Sequence, residues 1–434
     1  MLVSFSARTL TTFLLIIAGS WWTSVAAAAT NAFDNAAGAI MHQLSQQPLQ
    51  PVQLDFAEFL RMFQPDKQRS LLELAELTAQ AHALEPLDAC QSITQQSLLF
   101  QLQLMTERRR LTRTGKPMYV GAFTPMPNGR EWYLHWLASW LQQNVALTEL
   151  QGIAHAELER VELLRLQLAK NQLPKGGNQA FSSNQHNTIV KAFRQRESIV
   201  NAHLPHLFSF DLRVEPVNIV PSNLPKAFPA PGIYDPASDT FIYHLQTNEL
   251  PAAHMDWLFI HEGVPGHHFQ HTLVDQIALC PSLKGITMPM VMLEGWAAYV
   301  ETLGPEMGLF NDKASYAYAL EWRTLRALRV LIDIGIHAHD WPDDHAEALW
   351  QRYLPDAPNI MRREIARIKR WPAQAITYVY GKYEIEQALL KYATQQNVKA
   401  VRSVIFQLSN HNPLALDFVH QFITSTAVKA ETTS

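Results

Sequence analysis

A mainly α-helical fold carrying one small β-sheet is what this sequence predicts, on three observations. Apolar residues recur at helical spacing almost without interruption from Asp34 to about Leu173. Helical text resumes at Pro251 and dominates to the C-terminus. Between the two lies the only strand-like text: Leu212–Val220 is rich in β-branched residues, and Thr240–Leu245 follows the turn Asp235-Pro236-Ala237-Ser238-Asp239.

The first residues read differently from the rest. Arg8 precedes an apolar run through Leu10, Phe13–Ile17 and Trp21-Trp22, and Ser24-Val25-Ala26-Ala27-Ala28-Ala29 offers small residues for cleavage. Residues 1–29 are therefore expected to be a signal peptide. The run is short for a bilayer span, no cysteine follows it to take a lipid, and no later segment is long and charge-free. The expectation is an exported protein without a stable membrane anchor, periplasmic if the host is Gram-negative. A net charge of −4 on 434 residues, 47% of them hydrophobic, is an ordinary globular balance. There is no basic stripe with interleaved aromatics, so nucleic acid is not an expected partner. Arg108-Arg109-Arg110 reads as a solvated helix end. The cysteines are Cys90 and Cys280; an oxidising compartment permits a disulfide, but the sequence leaves their pairing open.

Each helix has its own signal. Leu71–Leu77 and Leu98–Leu104 carry apolar residues on helical faces, and Gly129 opens a helix after a Pro-Asn turn. Trp132, Trp136 and Trp140 fall four apart, a stripe whose default reading is core packing. A long segment, Glu149–Lys170, precedes the clearest break, Pro174-Lys175-Gly176-Gly177-Asn178. Further helices are expected at Ile189–Ala202, from Pro251 as a first-turn proline, and from Met290 to Leu303, with Gly304 placed to end it.

The chemistry concentrates in His261-Glu262-Gly263-Val264-Pro265-Gly266-His267-His268, with Glu294 in Leu-Glu-Gly-Trp one helix later. Many zinc peptidases use HExxH, which sets two imidazoles one turn apart with the glutamate beside them as base. Here the fourth residue after His261 is Pro265. In a straight helix His261 and His267 would diverge by about 240°. Pro265-Gly266 is where the helix should break or bulge, letting His267 take the place of the second histidine. His268 is the rival, since seven residues nearly restore the face, at the cost of roughly 10 Å along the axis. A His-His pair is ordinarily a surface feature; three imidazoles and a carboxylate inside eight residues are harder to place there. The chain thus divides into an N-terminal helical region over 30–175 and a metal-binding catalytic region over 176–434, packed around one cleft.

The stretch from His261 to Gln270, with Glu294-Gly-Trp-Ala-Ala-Tyr299-Val-Glu301, resembles the bacterial family known as domain of unknown function 885. Arg326-Ala-Leu-Arg329, Asp333-Ile-Gly335-Ile-His337, Trp341, Glu364, Arg367, Pro372-Ala-Gln374-Ala, Tyr378 and Gly381 follow in the family's order. The resemblance covers roughly residues 120–395. Relatives are longer before it, and Ala373 and Ile334 stand where glycine and threonine are common. What it implies is a multi-helical, zinc-peptidase-like fold of the gluzincin type around a deep cleft.

On that expectation His261, His267 and Glu294 hold one zinc ion with an open fourth position. Glu262 is the general base, and Tyr378 and His337 are the candidate oxyanion donors, with Tyr380 a weaker alternative to Tyr378. Either donor could equally be an ordinary core residue. Glu301 and Asp333 are candidates to orient an imidazole, or to pair with Arg326 or Arg329. Arg326, Arg329 or Arg367 could clamp a substrate carboxylate. The reaction expected is hydrolysis of peptide bonds in oligopeptides. Two alternatives stay open: a zinc amidase acting on cell-wall peptides or other amides, and a non-catalytic peptide-binding scaffold whose structural metal is closed by His268 or His271. Oligomeric state is not legible.

Overall fold

Some helix starts in this chain are set by side chains that satisfy first-turn N–H groups. The computed structural model describes residues 32–46, 60, 68–113, 119–209, 214–226, 228, 230–245, 247–273, 276–277, 279–280, 288–355 and 358–423. After a first helix α1 over residues 32–45, Ser70 caps α2 (Leu71–His82) in a reciprocal box with Glu73. Asp88 caps α3 (Ala89–Thr112) by accepting from the Gln91 amide at 2.8 Å. Next come α4 (Gly129–Leu141), α5 (Leu147–Lys170) and α6 (His186–Leu207). The sequence expected these helices, and the mainly helical class with a small sheet is what is found, at 68% helix and 5% strand.

The strands occupy the predicted region in two pieces. A three-stranded sheet has the order β2 (Asn218–Pro221), β4 (Thr240–Tyr243), β3 (Gly232–Asp235), parallel then antiparallel. A two-stranded antiparallel ribbon joins β1 (Ala180–Ser182) to β5 (Glu249–Pro251). The strand expected from Leu212 begins only at Asn218: residues 214–217 are irregular and 210–213 lie outside the described residues. Pro216 accounts for the delay, because it has no N–H for a ladder.

The C-terminal part of the sequence then runs α7 (Met255–Glu262), α8 (His267–Leu273), α9 (Met290–Val300), α10 (Lys313–Ala338), α11 (Asp343–Tyr353), α12 (Pro358–Arg370), α13 (Thr377–Tyr392) and α14 (Val398–Leu408). The long α10, capped by Asp312 on the Ser315 amide at 2.9 Å, is the central beam. It packs against α5 along much of its length and against α4, α7, α11, α12 and α13. Helix α9 packs tightly on α13, and glycine makes the close approach possible. A Cβ on Gly295 would sit 2.5 Å from the Gly381 Cα, and one on Gly381 would meet the Val291 carbonyl oxygen. This approach brings Glu294 on α9 beside Tyr378 on α13.

One main core spans both sides of residue 175. Trp132, Trp136 and Trp140 are buried in it, as the stripe predicted, together with Trp257, Trp296 and Trp350. The Pro174–Asn178 segment is irregular but docked: the Pro174 carbonyl accepts from the Lys313 amide at 2.8 Å. A satellite core of Phe33, Ile40, Leu74, Leu77 and Leu98 holds α1 and α2 on α3. Cys90 on α3 and Cys280 are joined by a disulfide, with 5.2 Å between their Cα atoms. The arginine run needs correction. Arg108 is buried, donates to His135 Nε2 at 3.0 Å and lies over the Trp136 ring; only Arg110 is exposed. Its aliphatic stem and planar head suit an aromatic wall, which composition alone does not show. Among the described residues no helix is long and apolar enough to cross a membrane, and residues 1–29 lie outside them.

Candidate metal centre

The helix carrying His261 breaks where the proline and glycine stand. α7 ends at Glu262, residues 263–266 form a bend, and α8 starts at His267. Gly266 has to be glycine: a Cβ there would lie 2.0 Å from the His261 carbonyl oxygen and 2.2 Å from that of Ile260. The bend therefore lies flat on the end of α7. Trp296 pins it from α9, its indole N–H donating to the Pro265 carbonyl at 2.8 Å. The two extra residues are absorbed, and His267 swings back towards His261.

Three side chains meet there. The ligand atoms of His261, His267 and Glu294 all lie within 4.8 Å of one another. Glu294 Oε2 is 3.4 Å from His267 Nε2 and 3.7 Å from His261 Nε2. Tetrahedral zinc with bonds of about 2.0–2.1 Å separates its ligands by roughly 3.4 Å, so the set is close to the size required. Glu294 Oε2 is also buried without a hydrogen-bond partner, an arrangement that costs free energy unless something else engages it. An N, N, O donor set around an unsatisfied carboxylate oxygen fits a divalent cation.

His261 is oriented from behind. Its Nδ1 meets Glu301 Oε1 at 2.7 Å, and Glu301 in turn takes both Arg326 contacts at 2.6 and 2.7 Å. With its proton on Nδ1, the imidazole offers an unprotonated Nε2 towards Glu294. Trp257, one turn earlier on α7, stacks on the His261 ring at 5.6 Å and on Trp322 at 4.3 Å. The sequence analysis did not single out Trp257; its position four before His261 was the available signal. His267 has no such support, and its Nδ1 is buried without a partner.

The electrostatics follow from crowding opposite charges in a dry place. Burial pushes the Glu294 carboxyl up, but the neighbouring His267 and His261 imidazoles outweigh it and bring it down to about 2. Burial depresses His267, while Glu294 and then Glu262 raise it, leaving it above the ordinary imidazole value. Glu262 is thus close enough to act on His267, yet it makes no hydrogen bond or ion pair among the described residues. It packs beside the start of β3, where a Cβ on Gly232 would come 3.2 Å from its Cγ.

The remaining candidates separate cleanly. Tyr378 is at the site: it lies near Glu294, its ring stacks 6.3 Å from that of His261, and Arg367 Nη2 reaches its oxygen at 3.4 Å. Tyr380 is turned away to Gln143 at 3.0 Å. His337 is not at the site. It is fully buried among Tyr119, Phe123 and Tyr133 and bonds the Ile368 carbonyl at 3.2 Å. Arg326 touches His261 from the same helix, so His337 stands about 16 Å further along the axis. Burial pulls its pKa down to about 3, and it is a core histidine. Asp333 likewise orients no imidazole: it accepts from the Tyr133 hydroxyl at 2.8 Å and the Ala373 amide at 3.0 Å. His268, the rival ligand, points to the Glu215 carbonyl at 2.8 Å and to Tyr234. Neither it nor His271 joins the cluster. A cavity of about 750 Å³ lined by Arg165, His254, Tyr318 and Tyr353 shares no residue with the cluster. It does not correspond to the cleft expected at the metal site.

The match to bacterial proteins of unknown function (DUF885) spans residues 21–401. The chain belongs to that family. The match begins about a hundred residues before the blocks recognisable by eye, so the N-terminal helices are part of the family's unit. No curated protein matches the sequence. Among solved structures, a Colwellia psychrerythraea protein described as a "putative lipoprotein" is similar at 19% identity and a TM-score of 0.58, covering 85% of this chain and 69% of that one. A Shewanella oneidensis "putative lipoprotein of unknown function" is similar at 17% identity and a TM-score of 0.52, covering 84% of this chain and 73% of that one. At these identities the likeness is one of fold.

Proposed function

We propose that this member of the DUF885 family is an exported zinc-dependent peptidase that hydrolyses peptide bonds in oligopeptides. The observation that carries the reading is the convergence of His261, His267 and Glu294 around a buried, unpartnered carboxylate oxygen. The gluzincin type and its zinc-peptidase fold belong to the same proposal. Export rests on the apolar N-terminal text, and the Cys90–Cys280 disulfide supports an oxidising compartment.

Zinc held by these three residues supplies Lewis acidity to the reacting carbonyl and water. The chain supplies the rest. Glu262, unpaired and beside the ligands, takes a proton from the attacking water as its oxygen bonds the carbonyl carbon. The same carboxyl then gives the proton to the amine nitrogen as the C–N bond breaks. Tyr378 holds a hydroxyl beside Glu294, where it can donate to the oxygen that becomes negative. Burial raises its pKa, with Glu294 adding to the rise against the nearby arginines, so it remains a protonated donor. Glu301 and Arg326 keep His261 in register.

The closed structural-metal alternative is disfavoured by His268, which is engaged elsewhere and leaves three ligands without a fourth. Elemental analysis tests the reading. Purified protein should carry about one zinc per chain, and alanine at His261, His267 or Glu294 should remove it. His268→Ala should retain it. Zinc kept in His267→Ala and lost in His268→Ala would refute the assignment.

A further inference from the structure

Three arginines surround the Tyr378 ring, with guanidinium carbons 4.9, 5.4 and 5.9 Å from its centre for Arg326, Arg329 and Arg367. Two are ion-paired with carboxylates. Arg326 is paired with Glu301 and Arg329 with Glu364, the latter through two bonds of 2.6 and 2.8 Å. Both are buried, at 3% and 2% exposure.

Arg367 differs. It has no carboxylate partner among the described residues. Its Nη2 alone is used, donating to Gln374 Oε1 at 2.8 Å and to the Tyr378 hydroxyl at 3.4 Å. Nε and Nη1 have no partner, and unlike Arg326 Nε they are not among the sealed, unpartnered atoms. A guanidinium with free donors opening onto accessible space is a ready receptor for a carboxylate, which it can grip through two parallel bonds.

Its position decides what it would grip. The Tyr378 hydroxyl is reached by Arg367 Nη2 and lies near Glu294, so the guanidinium stands on the far side of one phenol from a proposed metal ligand. A peptide advances at most about 3.6 Å per residue. A carboxylate on Arg367 therefore lies within about two residues of a carbonyl poised at the metal centre. The local charge agrees. Glu301 and Glu364 form their ion pairs with the other two arginines, and Glu294 would be neutralised by the cation it ligates, so Arg367 is the arginine of the three without an ion pair of its own among the described residues.

We infer that Arg367 binds the free C-terminal carboxylate of the substrate, making this a peptidase that trims short peptides from their C-terminal end. The inference rests on the peptidase reading for the bond broken, but the carboxylate site can be tested without turnover. Two matched libraries of N-acetylated pentapeptides, one with free C-terminal carboxylates and one with C-terminal amides, are passed over immobilised Glu262→Gln protein. Retained peptides are counted by mass spectrometry. The acid library should be enriched about tenfold to a hundredfold, the range for a charged, doubly hydrogen-bonded contact. Adding Arg367→Gln should bring the two libraries to parity, and Arg367→Lys should restore part of the preference; thermal melts confirm that each variant is folded.

Equal retention of acids and amides, or retention of neither, would overturn the inference. So would a loss in Arg367→Gln that falls equally on both libraries, since that is what a purely structural role in holding Tyr378 produces. Parallel hydrolysis assays on the parent protein separate the two readings. Selective retention of acids without cleavage of any peptide leaves the carboxylate site standing and removes the peptidase. Equal cleavage of acids and amides does the reverse.

Discussion

Asp333 shows how a single buried group can dominate the acid–base behaviour of a fold. It is wholly buried, and among the described residues it has no cation partner and bonds the Tyr133 hydroxyl and the Ala373 amide. Burial outweighs those two bonds and raises its pKa from 3.8 to about 7. A carboxyl raised on folding contributes stability that is fully present below its unfolded pKa and is lost as pH rises through the folded one. That window runs from 3.8 to about 7. Asp333→Asn keeps an acceptor for both donors and cannot titrate, so its melting temperature should fall less than the parent's across that window. Parallel slopes for the two proteins would show that Asp333 is not the titrating group. The residue scale is also where the sequence was hardest to read. His337 and Asp333 share a helix with Arg326 and sit in the same motif block, yet a straight α10 carries them beyond reach of the candidate metal centre. Arg108 was buried by the aromatic wall of α4, which no local spacing announces.

At the scale of elements, the decisive device is the broken helix between α7 and α8. It was legible because proline and glycine act locally: they end a helix whatever surrounds them. The close packing of α9 on α13 was not, since Gly295 and Gly381 acquire their meaning only when the two helices meet. Nor was the parallel pairing of β2 with β4, which joins strands twenty-two residues apart in register, Asn218 opposite Thr240. If the bend places His267, then lengthening one side chain inside it should cost the metal. Gly266→Ala sets a methyl against two backbone oxygens, neither of which can rotate away. Zinc affinity should fall by about 10- to 100-fold, the range seen when ligand-orienting groups are disturbed. Competition with a chromophoric chelator measures it. Unchanged affinity in a folded Gly266→Ala protein would mean that the bend does not set the ligand geometry.

The whole molecule is held together by a main core, smaller satellite clusters and one covalent tie. The main core ignores the break at residue 175, so helices from both sides of it pack as one body. The Cys90–Cys280 disulfide closes a loop of 190 residues between α3 and the segment following α8. A loop of that length is worth about 5 kcal/mol in the chain-entropy account, and native bridges removed from smaller proteins cost about 2–5 kcal/mol. The double variant Cys90→Ser, Cys280→Ser should unfold at a clearly lower denaturant midpoint than the oxidised parent, with its zinc content unchanged. Equal midpoints would mean that the tie contributes nothing to stability. The global fold class was readable because helical periodicity covers most of the chain; the pairing of two cysteines so far apart was not.

The central claim is that these parts serve peptide hydrolysis with Glu262 as the base, and one comparison addresses it most directly. Glu262→Gln preserves the shape of a residue that makes no structural bond among the described residues, while removing its ability to accept a proton. Parent and variant should be assayed on one peptide library after both are shown to hold equal zinc. The account predicts the same fold, the same metal content, and hydrolysis by the variant slower by about two to four orders of magnitude. Equal rates, or a parent that holds zinc and cleaves no peptide, would contradict it.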